Sequence, residues 1–277
     1  MTLLTRRDTQ RLLVEHRLKP SRALGQNFVA EPNTVRRIAR LASVGPGDRV
    51  IEVGAGLGSL TLGLVETGAT VTAVEVDRHL LPVLRSVLAA MGGEGVEVIE
   101  ADAMRLDWGS VLGQQLGWVL VANLPYNVAT PLILDLLDSV GAIDRMLIMV
   151  QREVGERLAA PPGSSAYGAA SVKVAYWAAA HVVGRVPASV FIPRPNVESV
   201  LVRIERRRIP AVDPAAVPAG ELFELVRAGF AQRRKMLRRS LAGLVEPEAF
   251  SLADVEPTAR PGELDVVAWG RLAACRT

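Results

Sequence analysis

Arg49-Val-Ile-Glu-Val53, then Gly54-Ala-Gly56-Leu-Gly58, then Ser59-Leu-Thr-Leu-Gly-Leu-Val-Glu-Thr67 is the stretch that decides the fold. The first piece is a short apolar strand-former and the last has helical spacing, with glycines filling the joint. A parallel, nucleotide-binding sheet begins with a strand–turn–helix of this kind. Glycines at the joint let backbone approach a ligand closely, with N–H groups at the helix start facing it. The spacing is G-x-G-x-G rather than the G-x-G-x-x-G of dinucleotide sites, so no pyrophosphate is required.

On either side of this joint, strands and helices alternate. Residues 70–75, 96–99, 118–122 and 145–150 read as further strands, and 78–91 and 130–139 as helices between them. Such alternation implies βαβ units and right-handed crossovers, and the near-continuous apolar strands imply a sheet covered on both faces. Pro32 opens a helix reaching about residue 42, at a position where it costs no hydrogen bond. Residues 182–190 and 197–204 look like added strands, 206–214 like a linker, and 222–244 like helix. The expected fold is α/β: a Rossmann-like sheet with a small helical C-terminal domain. Its expected division is a basic N-terminal arm (1–22), a sheet domain (23–208) and a helical C-terminal domain (209–277).

With 49% hydrophobic residues the chain can bury a sizeable core. No apolar run reaches the roughly 20 residues of a membrane helix, and the arginine-bearing N-terminus lacks the apolar stretch of a signal peptide. Cys275 is the single cysteine, which excludes an internal disulfide and a cysteine-rich zinc site. These features point to a cytoplasmic chain, without membrane or metal, expected to be a monomer. The net charge of +3 conceals a division along the chain. Residues 1–40 hold nine Lys/Arg against three Asp/Glu, residues 203–239 ten against four, and the stretch 41–202 between them ten against sixteen. Two basic blocks flanking an acidic centre suit a polyanion-binding surface around a cofactor domain, although solvated arginines on helix faces give the same tally.

Glu75 closes the second strand about 20 residues beyond the glycines, where an acid can accept both hydroxyls of a ribose. Asp102 follows the third strand in Glu100-Ala-Asp-Ala103, where a carboxylate can accept from an adenine amino group. Val76 and Ala103 are their neighbours in the expected cofactor wall, with Gly54 and Gly56. Together these describe an adenosyl ligand, and S-adenosylmethionine fits better than NAD because no second phosphate-binding feature follows. Glu75 as a helix cap ahead of Arg78, and Asp102 as a turn former, stay open.

Asn123-Leu-Pro-Tyr126 follows the apolar strand 118–122. An adenine amine is a poor nucleophile because its lone pair is delocalised into the ring. Acceptors on its two N–H bonds favour pyramidal nitrogen, and the Asn123 side-chain oxygen with the Leu124 or Pro125 carbonyl can supply them. Tyr126, and Phe191 in Phe-Ile-Pro-Arg-Pro195, offer faces on which a base can stack; a base in a duplex would first have to be flipped out. A plain turn, with Tyr126 and Phe191 as core aromatics, is the alternative.

These residues resemble one family closely, the small-subunit ribosomal RNA adenine dimethyltransferases (KsgA type), over most of the chain. The matching motifs are Leu24-Gly-Gln-Asn-Phe28, Glu52-Val-Gly-Ala-Gly-Leu-Gly-Ser-Leu-Thr61, Glu75-Val-Asp77, Asn123-Leu-Pro-Tyr-Asn127, Gln151-Arg-Glu-Val154, Tyr167-Gly168, Phe191-Ile-Pro-Arg-Pro195, Glu198-Ser199 and Arg233-Arg-Lys-Met-Leu-Arg238. The resemblance implies a Rossmann-like S-adenosylmethionine-dependent methyltransferase sheet, with a cofactor-binding methyltransferase domain over 23–208 and a helical RNA-binding domain over 209–277. It implies transfer of four methyl groups from S-adenosylmethionine to two neighbouring adenines near the 3′ end of small-subunit RNA, during ribosome maturation. It also implies that Gln26, Asn27 and the backbone at Val29 belong to the cofactor set, with Asn27 and Val29 at its methionine part. Ala55 stands where the family often has proline, Val29 where it has leucine and Asn196 where it has lysine, which puts one phosphate contact in doubt.

Arg233, Arg234, Lys235, Arg238 and Arg239 are expected on one helix whose Leu237, Leu241 and Leu244 form its apolar stripe, leaving the cations to phosphates. Arg6, Arg7, Arg11, Arg17, Lys19 and Arg22 form the second block, expected as a mobile arm that orders on RNA. Three rival readings remain. They are a large-subunit rRNA adenine methyltransferase of the resistance kind, a non-catalytic RNA-binding assembly or transcription factor, and a nicotinamide dehydrogenase. The last is disfavoured by the glycine spacing and by the absence of an acid–base pair around His16, His79 or His181.

Overall fold

A computed structural model describes residues 2–125 and 128–276. In chain order these form α1 (Arg6–Glu15), β1 (Phe28–Val29), α2 (Pro32–Ala42), β2 (Arg49–Val53), α3 (Ser59–Val65), β3 (Thr70–Glu75), α4 (Leu81–Met91), β4 (Glu97–Glu100), α5 (Trp108–Leu112), β5 (Trp118–Asn123), α6 (Ala129–Ser139) and β6 (Ile143–Gln151). There follow α7 (Arg152–Leu158), α8 (Ala169–Trp177), β7 (Ala178–Val186), β8 (Phe191–Ile192), β9 (Ser199–Arg206), α9 (Ala219–Ala231), α10 (Leu237–Ser240), α11 (Pro247–Leu252) and α12 (Val266–Ala274). The chain divides into two compact units. One holds residues up to Gly155 together with His181–Glu205; the other holds Glu156–Ala180 and everything from Arg206. The segment 156–180 was expected with the first unit, but its buried Tyr167, Val172 and Tyr176 pack in the core of the second.

In the first unit the main sheet runs β4-β3-β2-β5-β6-β9-β7. The pairs β2–β3, β2–β5, β3–β4 and β5–β6 are parallel, and β9 joins β6 antiparallel. Val50, Ile51 and Val53 are buried, as the near-continuous apolar strand required. Chain order moves outward from β2 in one direction through β3 and β4, then restarts at β5 on the other side. The crevice at the carboxyl ends of β2 and β5 is therefore the switch point where open α/β sheets bind ligands.

The N-terminal block is not an open arm. Thr5 and Asp8 cap α1 reciprocally, Asp8 N–H donating to Thr5 Oγ1 at 3.2 Å and Thr5 N–H to Asp8 Oδ2 at 3.1 Å. Leu3, Leu4 and Leu13 bury into the core of the sheet unit, and Arg6 donates to the Ser189 carbonyl. The expectation of a loose basic segment over 1–22 overlooked this apolar stripe among the arginines.

In the second unit α8, α9 and α12 surround a core containing Tyr167, Tyr176, Phe250 and Trp269. The helix expected over 222–244 is interrupted. It ends at Ala231, turns through 232–236, and resumes only for α10. Leu237 N–H and Arg238 N–H donate to the Ala259 and Pro257 carbonyls, which fixes the turn.

Candidate active site

The β2 and β3 ladder pairs Val53 with Val74, and the β2 and β5 ladder pairs Val53 with Ala122. The register alone thus brings Gly54, Glu75 and Asn123 to the same edge. The Gly54 N–H donates to Val74 O at 2.8 Å, which turns the chain off β2. Gly54, Gly56 and Gly58 all have positive φ, a region that admits side chains only with strain. At Gly56 a Cβ would also sit 3.0 Å from the Phe28 ring.

Two adjoining cavities open here. Asn27, Glu52, Gly56, Ser59, Glu75 and Asn123 are in the wall of the first. Asp102, Ala103 and Met104 are in the wall of the second. Leu24, Gly54, Val76 and Pro125 border both, so the pair is one elongated crevice. The polar end lies beside the glycine turn and the apolar end beside Asp102.

Glu75 is committed to backbone. Its Oε2 accepts from Gly56 N–H at 2.7 Å, and its Oε1 from Val76 N–H and Asp77 N–H, each at 2.9 Å. Of roughly four acceptor sites on a carboxylate, three hold the two loops in place and one is left for a ligand. Burial raises the Glu75 carboxyl above its usual range against these three amides, which lower it, and the Asp77 charge adds to the rise. Asp102 accepts from Met104 N–H at 2.9 Å, so it does form a turn while also bordering the crevice.

Asn123 Nδ2 donates to the Asn27 carbonyl at 2.9 Å. Asn27 Nδ2 donates to Gly25 O at 3.0 Å, and Gln26 Nε2 to Asp77 Oδ2 at 2.8 Å. The 24–28 motif is thereby drawn over the mouth of the crevice from both sides. Val29 is buried and faces Phe191 across a two-stranded ribbon.

Two expectations change. The Pro125 carbonyl accepts from Val128 N–H and Ala129 N–H at 3.2 and 3.1 Å; it starts α6, so the Leu124 carbonyl is the better acceptor. Phe191 is only 1% exposed, within the core of the sheet unit; its ring is packing and offers no face for a base. Tyr126 lies outside the described residues.

Glu52 is a crevice residue that the sequence reading did not place in the site. It stands in the middle of β2, is 1% exposed, and borders the crevice. Burial pushes its carboxyl up to about 8, with the nearby hydroxyl of Thr61 opposing and the charge of Glu75 reinforcing the rise. By geometry neither Glu52 Oε2 nor Thr61 Oγ1 completes a hydrogen bond, and Ser59 Oγ also has no partner. Buried orphan acceptors are rare, and in a cleft wall they fit a ligand that brings donors, such as the ammonium of an amino acid.

A family model described as ribosomal RNA adenine dimethylase matches residues 17–263. The chain belongs to that family. The ribosomal RNA small subunit methyltransferase A of Cutibacterium acnes is 48% identical over 274 residues, spanning 95% of this chain and 91% of that one. Two solved structures share the fold. A dimethyladenosine transferase from Plasmodium falciparum has a TM-score of 0.76 at 23% identity, covering 88% of this chain and 95% of that one. The 23S rRNA methyltransferase ErmE has 0.70 at 24%, covering 90% and 99%.

The basic residues of this rRNA adenine dimethylase family member occupy a different setting from the single helix expected. Arg233, Arg234 and Lys235 project from the 232–236 turn, while Arg238 and Arg239 ride on α10, and all five are exposed. Leu237 and Leu241 are fully buried beneath them and Leu244 partly so. Arg233 Nη2 donates to Ser165 O at 2.7 Å. No helix among the described residues is long and apolar enough to cross a membrane.

Proposed function

We propose that this chain is an S-adenosylmethionine-dependent rRNA adenine N6,N6-dimethyltransferase. It methylates two adjacent adenines near the 3′ end of small-subunit rRNA, twice each, during maturation of the small ribosomal subunit. It acts as a cytoplasmic monomer whose partner is the immature subunit's RNA. One observation carries this reading: Asn123, at the end of β5, borders the same crevice as the glycine turn after β2.

The residues present fit the cofactor. Orphaned Glu52 Oε2 and Ser59 Oγ are in the wall of the polar end, suited to the amino-acid part together with the Asn27 and Val29 backbone. Glu75 keeps one acceptor site for the ribose. Asp102 and the backbone at Ala103 meet the adenine beside Val76. When bound, S-adenosylmethionine supplies an electrophilic methyl group. Asn123 Nδ2 is occupied by Asn27 O, which leaves Oδ1 as an acceptor for one N–H of the target amine. The Leu124 carbonyl takes the other N–H. These two acceptors favour a pyramidal nitrogen with its lone pair directed out of the ring plane, a contribution of positioning and electrostatics rather than of a general base. The exposed cations at 233–239 hold phosphates of the RNA.

The test is a labelled-methyl assay on small subunits that lack the modification, with the labelled nucleotides mapped. Label on two adjacent adenines of the small-subunit RNA is expected. Label confined to large-subunit RNA, or none on either, would overturn the assignment.

A further inference from the structure

A third cavity adjoins the crevice, between the chain leaving α1 and the chain leaving β3. His16, Arg17 and Lys19 border it from the first side, His79 from the second, with Gln26 and Asp77 in the wall between them. Asp77 is its one acid, and both carboxylate oxygens are engaged. Oδ1 accepts from His79 N–H at 2.9 Å, and Oδ2 from Gln26 Nε2 at 2.8 Å. Among the described residues neither Arg17 nor Lys19 takes part in an ion pair. Counting lysine, arginine and acidic side chains alone, the lining holds two cations against one carboxylate, a net of +1.

The backbone adds a second argument. Arg17 has φ 52 and ends α1, with Arg17 N–H donating to Val14 O at 3.1 Å and Leu18 N–H to Leu13 O at 2.9 Å. This is the helix-ending geometry in which glycine is the usual residue, and a side chain there is strained. Balancing the C-terminal end of a helix accounts for His16 and Arg17. It does not account for Lys19, beyond the helix, nor for His79 on another element.

A third argument is position. Gln26 and Phe28 border both this cavity and the polar end of the crevice, and Gln26 Oε1 also accepts from Ser21 N–H at 2.7 Å. The basic segment is thus tied to the wall of the reaction site through one side chain.

We propose that this cavity binds a backbone phosphate of the substrate RNA, flanking the adenosine extruded into the crevice. Arg17 and Lys19 supply the charge and His79 a further donor. The inference rests on the functional assignment above and adds to it a phosphate contact from the sheet unit. Holding the flanking phosphate fixes the sugar of the extruded nucleotide, so the contact serves base positioning as well as affinity.

The test uses the full chain and undermethylated small subunits. Arg17→Gly suits the backbone at φ 52 and removes only the side chain; Lys19→Gln removes the second charge. In the double variant RNA affinity should fall about tenfold and the slope of log affinity against log salt should become shallower by about 1. S-adenosylmethionine affinity should stay at the wild-type value, and thermal stability should be no lower than wild type because Arg17→Gly relieves the strain at φ 52. RNA affinity and salt slope equal to wild type, in a variant that still methylates, would overturn this site alone. Wild-type protein that leaves the subunits unlabelled would instead sink the functional assignment on which the site depends.

Discussion

The side-chain Nδ2 of Asn123 donates to the backbone carbonyl of Asn27 at 2.9 Å, linking residues 96 positions apart. The residue proposed to receive the target amine therefore also holds the motif that closes over the cofactor. Asn123→Ala removes both the acceptor Oδ1 and this tether. Turnover should fall at least about 100-fold, the scale of losing one positioned polar group at a reacting centre. Cofactor affinity should drop less than about tenfold, since the crevice keeps Glu52, Glu75 and Asp102. Single-turnover kinetics with calorimetry of cofactor binding separates the two effects. Wild-type turnover in this variant would refute the acceptor role.

Glu75 joins the two loops at the cofactor end by accepting from Gly56, Val76 and Asp77. In Glu75→Gln one acceptor becomes an amide donor that must face a backbone N–H. Leaving that buried pair unsatisfied should cost about 1–3 kcal/mol of stability and weaken cofactor binding about tenfold or more. Thermal melts with and without cofactor check this. A variant that melts with the wild type would show that the loops need no such brace.

Much of the sheet was legible because parallel strands covered on both faces are apolar runs, and Gly54, Glu75, Asp102 and Asn123 could be placed by counting strand ends. What escaped had specific causes. Glu52 interrupts an otherwise apolar strand, Val50-Ile-Glu-Val53, and a carboxylate buried there is costly unless it serves a ligand; that signal was available and went unread. Thr5-x-x-Asp8 is a capping signature with Leu3, Leu4 and Leu13 around it, yet the neighbouring arginines dominated the reading of the N-terminus. The break at 232–236 has no glycine or proline to announce it, and its cause lies about 20 residues later, where the Pro257 and Ala259 carbonyls capture the chain. That Phe191 is core rather than a stacking face depends on the strand opposite it, which no local pattern reveals.

Glu52 predicts a pH dependence of the cofactor-free protein. Its carboxyl is raised in the folded chain from 4.5 to about 8. As pH rises from 4.5 towards 8 the unfolded chain releases this proton while the folded chain retains it, so stability declines. The slope from this group is at most about 1.4 kcal/mol per pH unit. Glu52→Gln lacks the group and keeps its shape, so it should melt progressively above the wild type as pH rises across this window. With saturating S-adenosylmethionine the order should reverse, because the ammonium of the ligand then compensates the charge. Melting curves of both proteins at several pH values decide it, and a difference independent of pH would refute the buried-acid reading.

The exposed cations after α9 predict the salt dependence of RNA binding. Arg233 is anchored to the Ser165 carbonyl, which makes Arg234 and Arg238 the better pair to remove without disturbing the turn. Leu237 and Leu241 hold α10 in the core beneath them, so Arg234→Ala with Arg238→Ala should change stability by less than about 0.5 kcal/mol. Affinity for small-subunit RNA should fall, and the slope of log affinity against log salt should become shallower by about 1–2. Cofactor affinity should not move, because no residue of the crevice is touched. Titrations at several salt concentrations measure the slope directly; if it stays at the wild-type value, this turn does not meet phosphate and the RNA lies elsewhere on the protein.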